Sequence, residues 1–339
     1  MGWAIGGNVM RAVGIKAFGG PEVLEILDLK AADPGPGQVQ VKVAFAGVNP
    51  IDVHVRRGAY LGSVQRPPEW PMVLGYEGSG EVETVGSGVD GIKPGQRVAW
   101  CGQPGSHAET ANVAAWRLMP VPDQMPLDIA CALQLDGMLA HALCVTAFPV
   151  GAGDRVLVHA GADPTSQLLI QIAKGQGAEV IATVARDTDK GAPKAAGADH
   201  VIGLAGGDAV AAIRELTGGA GCHVVFDSVG RDTIAASIAC CRRRGMVVLF
   251  GGQSGAVDTI RPDDLAAAGS IYLTRPHIAD YMQDATEVRW RMAGLFDAWA
   301  AGQLKVGIGR ILPLDGTREG HLAIEAGTAA GKILIKMQA

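Results

Sequence analysis

Short runs in which apolar and polar positions alternate fill the first third of the chain. Met10 to Phe18, Val39 to Val43, Gly78 to Val85 and Arg97 to Trp100 each read as a strand, set off by Gly, Pro and Asp. Such spacing predicts a compact, largely β domain. From Gly137 the pattern changes to alternating strands and helices. Strands are predicted near Arg155 to His159, Glu179 to Val184, His200 to Ile202, His223 to Asp227, Met246 to Phe250 and Ser270 to Thr274. Six strands with helices between them predict a parallel, doubly wound sheet. It opens on Gly153 to Lys174, where Val156 to His159 leads through a tight turn into a helical pattern marked by Leu168, Leu169 and Ile172. Asp284 to Ala301 is predicted as a helix with Trp290, Leu295 and Trp299 spaced for burial, and the chain ends in a strand-like run, Lys332 to Met337.

Composition narrows the class. The 339 residues suit two domains: 1–136 with 279–339 (1–9 as an extension), and 137–278. A net charge of −5, spread without a basic stripe, argues against nucleic acid or an anionic membrane as partner. Hydrophobic content is 48%, yet no run reaches the roughly 18 apolar residues of a spanning helix. The first ten residues lack the basic and apolar regions of a secretion signal, so a cytoplasmic address is expected. The six cysteines show no paired spacing, which suggests neither a zinc site nor a disulfide framework.

Several stretches carry a family likeness. GGPEVLE (Gly19 to Glu25), GVNPID (Gly47 to Asp52), GYEGSGEVETVGSGV (Gly75 to Val89), KPGQRV (Lys93 to Val98), DSVGRDT (Asp227 to Thr233), RRGMVVLFGGQSGAV (Arg243 to Val257) and GSIYLTRP (Gly269 to Pro276) span nearly the whole chain. Through them it resembles the zinc-independent quinone oxidoreductases (NADPH:quinone reductase or zeta-crystallin-like) of the medium-chain dehydrogenase/reductase superfamily. The resemblance implies an α/β fold, a GroES-like largely β domain plus a Rossmann-type six-stranded sheet. It also implies hydride transfer from NADPH to a quinone or an α,β-unsaturated carbonyl, and a homodimer paired through the SIYLTRP edge strand. Zinc is not expected: Asn49 and Tyr76 stand where alcohol dehydrogenases of the superfamily carry a cysteine and a histidine ligand.

The same resemblance assigns candidate residues. Asn49 matches the asparagine beside the nicotinamide, and Tyr60 an active-site tyrosine able to donate or relay a proton. His54 sits where relatives carry another tyrosine. Ser228, Phe250, Gly251, Gly252, Gln253 and the Leu273 to Arg275 segment occupy cofactor-contacting positions, with Lys332 in the returning segment. Arg186, at the end of the second strand, favours a 2′-phosphate and therefore NADP. Asp189 falls where relatives carry a phosphate-binding lysine, Lys190 is one place displaced, and Leu204 replaces a tyrosine.

The turn itself departs from the pattern. Asp163, Pro164, Thr165 and Ser166 stand where the family has Gly-Gly-x-Gly. Asp as N-cap and Pro at the first helical position are favoured chemistry, but the cap would occupy N-H groups that a diphosphate needs. Thr165 and Ser166 add side chains where close approach is wanted. In the 135–143 segment Asp136 and Leu139 replace the family's lysine and threonine, so Asp136, His141 and His159 become possible acid-base groups.

Two enzymatic readings result. The first is the NADPH-dependent reductase of quinones or enones. The alternative is a repurposed scaffold with weakened cofactor binding, a cofactor-independent isomerase, lyase or cyclase on an enone-like substrate. A noncatalytic binder of NADPH or a small aromatic is the third possibility.

Overall fold

A computed structural model describes residues 9–59 and 70–337. The chain divides into two compact units, one of Met1–Leu135, Asp284–Met292 and Val306–Ala339, the other of Asp136–Gln283 and Ala293–Lys305.

Unit one begins with eight strands: β1 (Val9–Ile15), β2 (Glu25–Lys30), β3 (Gln38–Val48), β4 (Met72–Val73), β5 (Glu77–Val85), β6 (Arg97–Cys101), β7 (Thr110–Ala114) and β8 (Met119–Pro120). β1 pairs antiparallel with β2 and β4. The long β3 is the centre of the larger sheet, lying antiparallel to β5 and to β7. Its alternation sends Val39, Val41 and Val43 inward, where they meet Val82, Val98, Trp100 and Val113 in one core.

Unit two carries β9 (Arg155–Val158), β10 (Glu179–Val184), β11 (His200–Gly203), β12 (Cys222–Asp227), β13 (Cys241–Leu249) and β14 (Tyr272–Thr274). They form one six-stranded sheet in the order β11-β10-β9-β12-β13-β14, every pair parallel. Strands covered on both faces need unbroken apolar runs, and Val156 to Val158 and Val224 to Phe226 are all fully buried. β13 starts earlier than its apolar run does. Cys241 already pairs with Cys222, and a register shift with Arg244 at φ 58° carries the polar Arg242 to Arg244 segment into the strand.

The chain then returns to unit one. β15 (Ile308–Pro313) and β16 (Lys332–Lys336) complete its large sheet, β16 lying antiparallel to β3. The helix Ala285–Ala300 forms, but Trp290 is 51% exposed. Its buried stripe is Val288, Arg291, Met292, Leu295 and Phe296, and Trp290 lies off that stripe, its ring beneath the Arg291 guanidinium at 4.8 Å. The expectation of a buried Trp290 is therefore corrected. No helix among the described residues is long and apolar enough to cross a membrane.

Candidate functional site

In unit one the strand register gathers a buried polar cluster. Val48 of β3 pairs with Ile333 of β16, so Asn49 and Lys332 become neighbours. Ala46 pairs with Gly78 of β5, which brings Glu77 beside Gly47. Lys332 Nζ donates to Asn49 Oδ1 at 2.7 Å and forms an ion pair with Glu77 Oε1. Asn49 Nδ2 donates to the same Glu77 oxygen at 2.8 Å, while Glu77 Oε2 accepts the Leu135 N-H at 2.8 Å. Asn49, Glu77 and Lys332 are each 2% exposed or less. A lone charge at that depth would be costly; the ammonium and carboxylate compensate one another.

Asn49 also caps the helix Pro50–Arg56, its backbone N-H donating to Asp52 Oδ2 at 2.8 Å. Asp52 Oδ1 has no hydrogen-bond partner among the described residues. Burial pushes the Asp52 carboxyl up to about 7, against the Asn49 N-H and the Lys332 charge, which pull it down. Nearby, burial holds His107 down to about 4, so it is neutral at pH 7, and its Nε2 lies 2.9 Å from the Gly47 carbonyl oxygen. Nε2 therefore carries the proton.

In unit two the candidate residues lie at the carboxyl ends of the parallel strands, where open α/β sheets bind ligands. After β12, Asp227 accepts from Val229 N-H (2.9 Å), Gly230 N-H (3.0 Å), Thr233 Oγ1 (2.8 Å) and Ser237 Oγ (2.6 Å). That set fixes the turn bearing Ser228, which is 5% exposed and whose Oγ has no partner among the described residues. After β13, the Phe250 and Gly251 N-H groups donate to the Asp227 carbonyl, and Gln253 N-H donates to that of Ser228. A Cβ on Gly251 would overlap the Ser228 carbonyl, so glycine is required there. Leu273 lies in β14, half-buried and packed against the sheet's core cluster, and exposed Arg275 donates to the Leu249 carbonyl at 3.3 Å.

Asp163 and Pro164 begin the helix Pro164–Gly175 as expected, but Asp163 makes no side-chain capping bond. Its carboxylate instead accepts from Gln253 Nε2, so the expectation that the cap consumes the helix's N-H groups is corrected. Burial, with Asp136 close by, raises the Asp163 carboxyl to about 6. Thr165 Oγ1 donates to Asp136 at 2.5 Å, and Ser166 Oγ to the His159 carbonyl at 3.2 Å, so both hydroxyls turn inward. After β10, Arg186 is paired with Asp189 (2.9 Å) and Lys190 with Asp187 (2.9 Å).

His54 is half-buried on the helix that Asn49 caps, and Tyr60 lies outside the described residues. His159 is buried, with Nδ1 2.8 Å from Thr183 Oγ1 and Nε2 without a partner among the described residues; burial lowers its pKa. Glu77 and Asp52 were not singled out from the sequence. A carboxylate between Tyr76 and the small residues Gly78 to Gly80, at the start of a strand, was the available signal for Glu77. Asn49 and Tyr76 offer amide and phenol groups, and among the described residues no three His, Cys, Asp or Glu are gathered as a metal site would need.

Residues 35–123 match the family model of the alcohol dehydrogenase GroES-like domain, and residues 164–287 that of the zinc-binding dehydrogenases. The chain is 36% identical over 335 residues to the 2-haloacrylate reductase of Burkholderia sp, covering 98% of this chain and 100% of that one. It is 34% identical over 320 residues to quinone oxidoreductase 1 of Escherichia coli, covering 94% and 96%. The crystal structure of Escherichia coli quinone oxidoreductase complexed with NADPH superposes with a TM-score of 0.91 at 33% identity, over 96% of this chain and 99% of that one. Likeness of this extent, through both units, makes the chain a member of the quinone oxidoreductase family of the medium-chain dehydrogenase/reductase superfamily.

Proposed function

We propose that this protein is a zinc-independent, NADPH-dependent reductase that delivers hydride to a quinone or an α,β-unsaturated carbonyl compound. The observation that carries the reading is the carboxyl edge of the unit-two sheet, where a buried Ser228 hydroxyl is left without a partner among the described residues beside a glycine that no larger residue can replace. A dinucleotide suits such an edge: it has hydroxyls and amides for Ser228 and the 250–253 backbone, and a 2′-phosphate for Arg186 and Lys190. The NADPH-bound relative supports the same cofactor. Leu273 and Arg275 belong to the same set, as do Asp163, Thr165 and Ser166 at the helix start.

NADPH, when bound, supplies the hydride. The chain's own residues bind, orient and handle the proton. Asn49, held by Glu77 and Lys332, presents an amide to a cofactor or substrate carbonyl. Tyr60, His54 and Asp136 are the candidate proton donors. Quinones and 2-haloacrylate, the compounds named for the relatives, share an electron-poor carbon-carbon double bond conjugated to a carbonyl or carboxyl group, which supports this substrate class. No relative named above supports the cofactor-independent alternative.

We further propose a homodimer joined through β14, whose outer edge is unpaired among the described residues and carries Tyr272 at 60% exposure. A cytoplasmic location fits the six cysteines, all buried and none joined in a disulfide. The test is a fluorescence titration with NADPH and NADH, followed by turnover with simple quinones and enones. Should saturating NADPH neither bind nor be oxidised, the assignment is abandoned.

A further inference from the structure

An asparagine amide fits its space equally well in two orientations, and only its partners decide which end is oxygen. In unit one the two ends of Asn49 meet groups of opposite kind. Lys332 can only donate, and it lies 2.7 Å from Oδ1; the Glu77 carboxylate can only accept, and it lies 2.8 Å from Nδ2. The flipped amide would set donor against donor and acceptor against acceptor. Each such unmade buried bond disfavours that state by about tenfold to a hundredfold.

Glu77 is itself pinned. Its second oxygen takes the Leu135 N-H, and Gly47 is open beside it because a Cβ there would overlap the carboxylate. The Asn49 backbone is held separately by Asp52. We propose that Glu77 is a positioning residue: with Lys332 it fixes the Asn49 amide, so that the second Nδ2 hydrogen points in one constant direction toward the carbonyl that Asn49 serves. This rests on the reading of Asn49 as a cofactor or substrate contact. A buried pair kept for stability alone would be replaceable by apolar residues with no effect on Asn49.

The chain has three asparagines, Asn8, Asn49 and Asn112, so selective ¹⁵N labelling isolates the Asn49 side chain. In the ligand-free protein its amide protons are expected to exchange slowly with solvent. Exchange should accelerate about tenfold or more in Glu77→Gln, and likewise in the charge-neutral Glu77→Gln/Lys332→Met variant, which guards against misfolding of the single one. An Asn49 signal unchanged in both folded variants overturns the proposal. The second readout is a double-mutant cycle on kcat with NADPH and a quinone. Glu77→Gln should lower kcat about tenfold or more in the wild-type background and less than about twofold in an Asn49→Ala background. Equal losses in the two backgrounds overturn it. If the wild-type protein neither binds nor oxidises NADPH, the reductase reading falls, while the exchange measurement still decides the role of Glu77.

Discussion

The Lys332 ammonium lies 2.7 Å from the Asn49 side-chain oxygen although 283 positions separate them, and both are closed off from solvent. Removing that ammonium leaves the buried Glu77 carboxylate without its counter-charge. Lys332→Met is therefore expected to destabilise the protein by about 3–5 kcal/mol, and the added Glu77→Gln change to recover most of the loss. Urea unfolding of the three proteins measures it. Equal stability of the single variant and wild type would refute the electrostatic account.

Asp52 gives a pH dependence of defined sign. Its folded carboxyl titrates near 7 against an ordinary value of 3.8, so the contribution is present in full below the unfolded value and is lost as pH rises through 7. Relative to Asp52→Asn, wild-type stability should fall by on the order of 4 kcal/mol between about pH 4 and pH 8. Parallel stability curves for the two proteins would show that burial does not hold the proton on Asp52.

Asp163 should make dinucleotide binding proton-linked. Its carboxyl titrates near 6, so above that pH a charged carboxylate stands at the helix start where the proposed diphosphate would lie. One such repulsion at ~5 Å and an effective dielectric of ~20 is about 3 kcal/mol, an upper figure that screening reduces to roughly tenfold to a hundredfold in affinity. NADP⁺ should bind more weakly as pH rises through 6, and Asp163→Asn should tighten binding at pH 8 while flattening that part of the profile. The 2′-phosphate titrates in both proteins, so the difference between the two titrations isolates Asp163.

Asp189 holds Arg186 in a two-point contact, 2.9 and 3.2 Å, and that partner lowers the Asp189 carboxyl from its ordinary value. Solvent screens surface pairs of this kind, so the pair is weak. Asp189→Asn should free the guanidinium and raise the preference for NADPH over NADH by about threefold to tenfold. The ratio of the two dissociation constants reports it; an unchanged ratio would remove Arg186 from the 2′-phosphate's partners.

Tyr272 tests the proposed assembly. Tyr272→Lys places a charge on an exposed strand edge, a device that opposes edge-to-edge pairing. Sedimentation velocity should show a dimer for wild type and a monomer for the variant. A wild-type monomer would exclude this mode of assembly.

Local pattern made much of the fold legible. Unbroken apolar runs bounded by Gly and Asp located the strands of the parallel sheet, since a strand buried on both faces must be apolar throughout. β13 was the exception: it begins at Cys241, which pairs with Cys222, and the polar Arg242 to Arg244 sit in a register shift before the ladder resumes at Met246, so their place in the strand is set by the pairing on either side rather than by their own composition. Trp290 misled for the opposite reason. An aromatic residue looks like core material, but the helical stripe through Met292 and Leu295 passes beside it.

The sequence by itself determined the two-part α/β organisation, the family likeness and the residue types at each strand end, because periodicity and motif are written in neighbouring positions. Only the tertiary structure decided that Glu77 joins Asn49 to Lys332, that Asp163 turns to Gln253 instead of capping its helix, and that Arg186 is paired with Asp189. The first two are contacts across long sequence separations, set by strand register and by the meeting of loops. The third is local, but it depends on which of several nearby charges the backbone turns toward the guanidinium, a choice that residue identity leaves open.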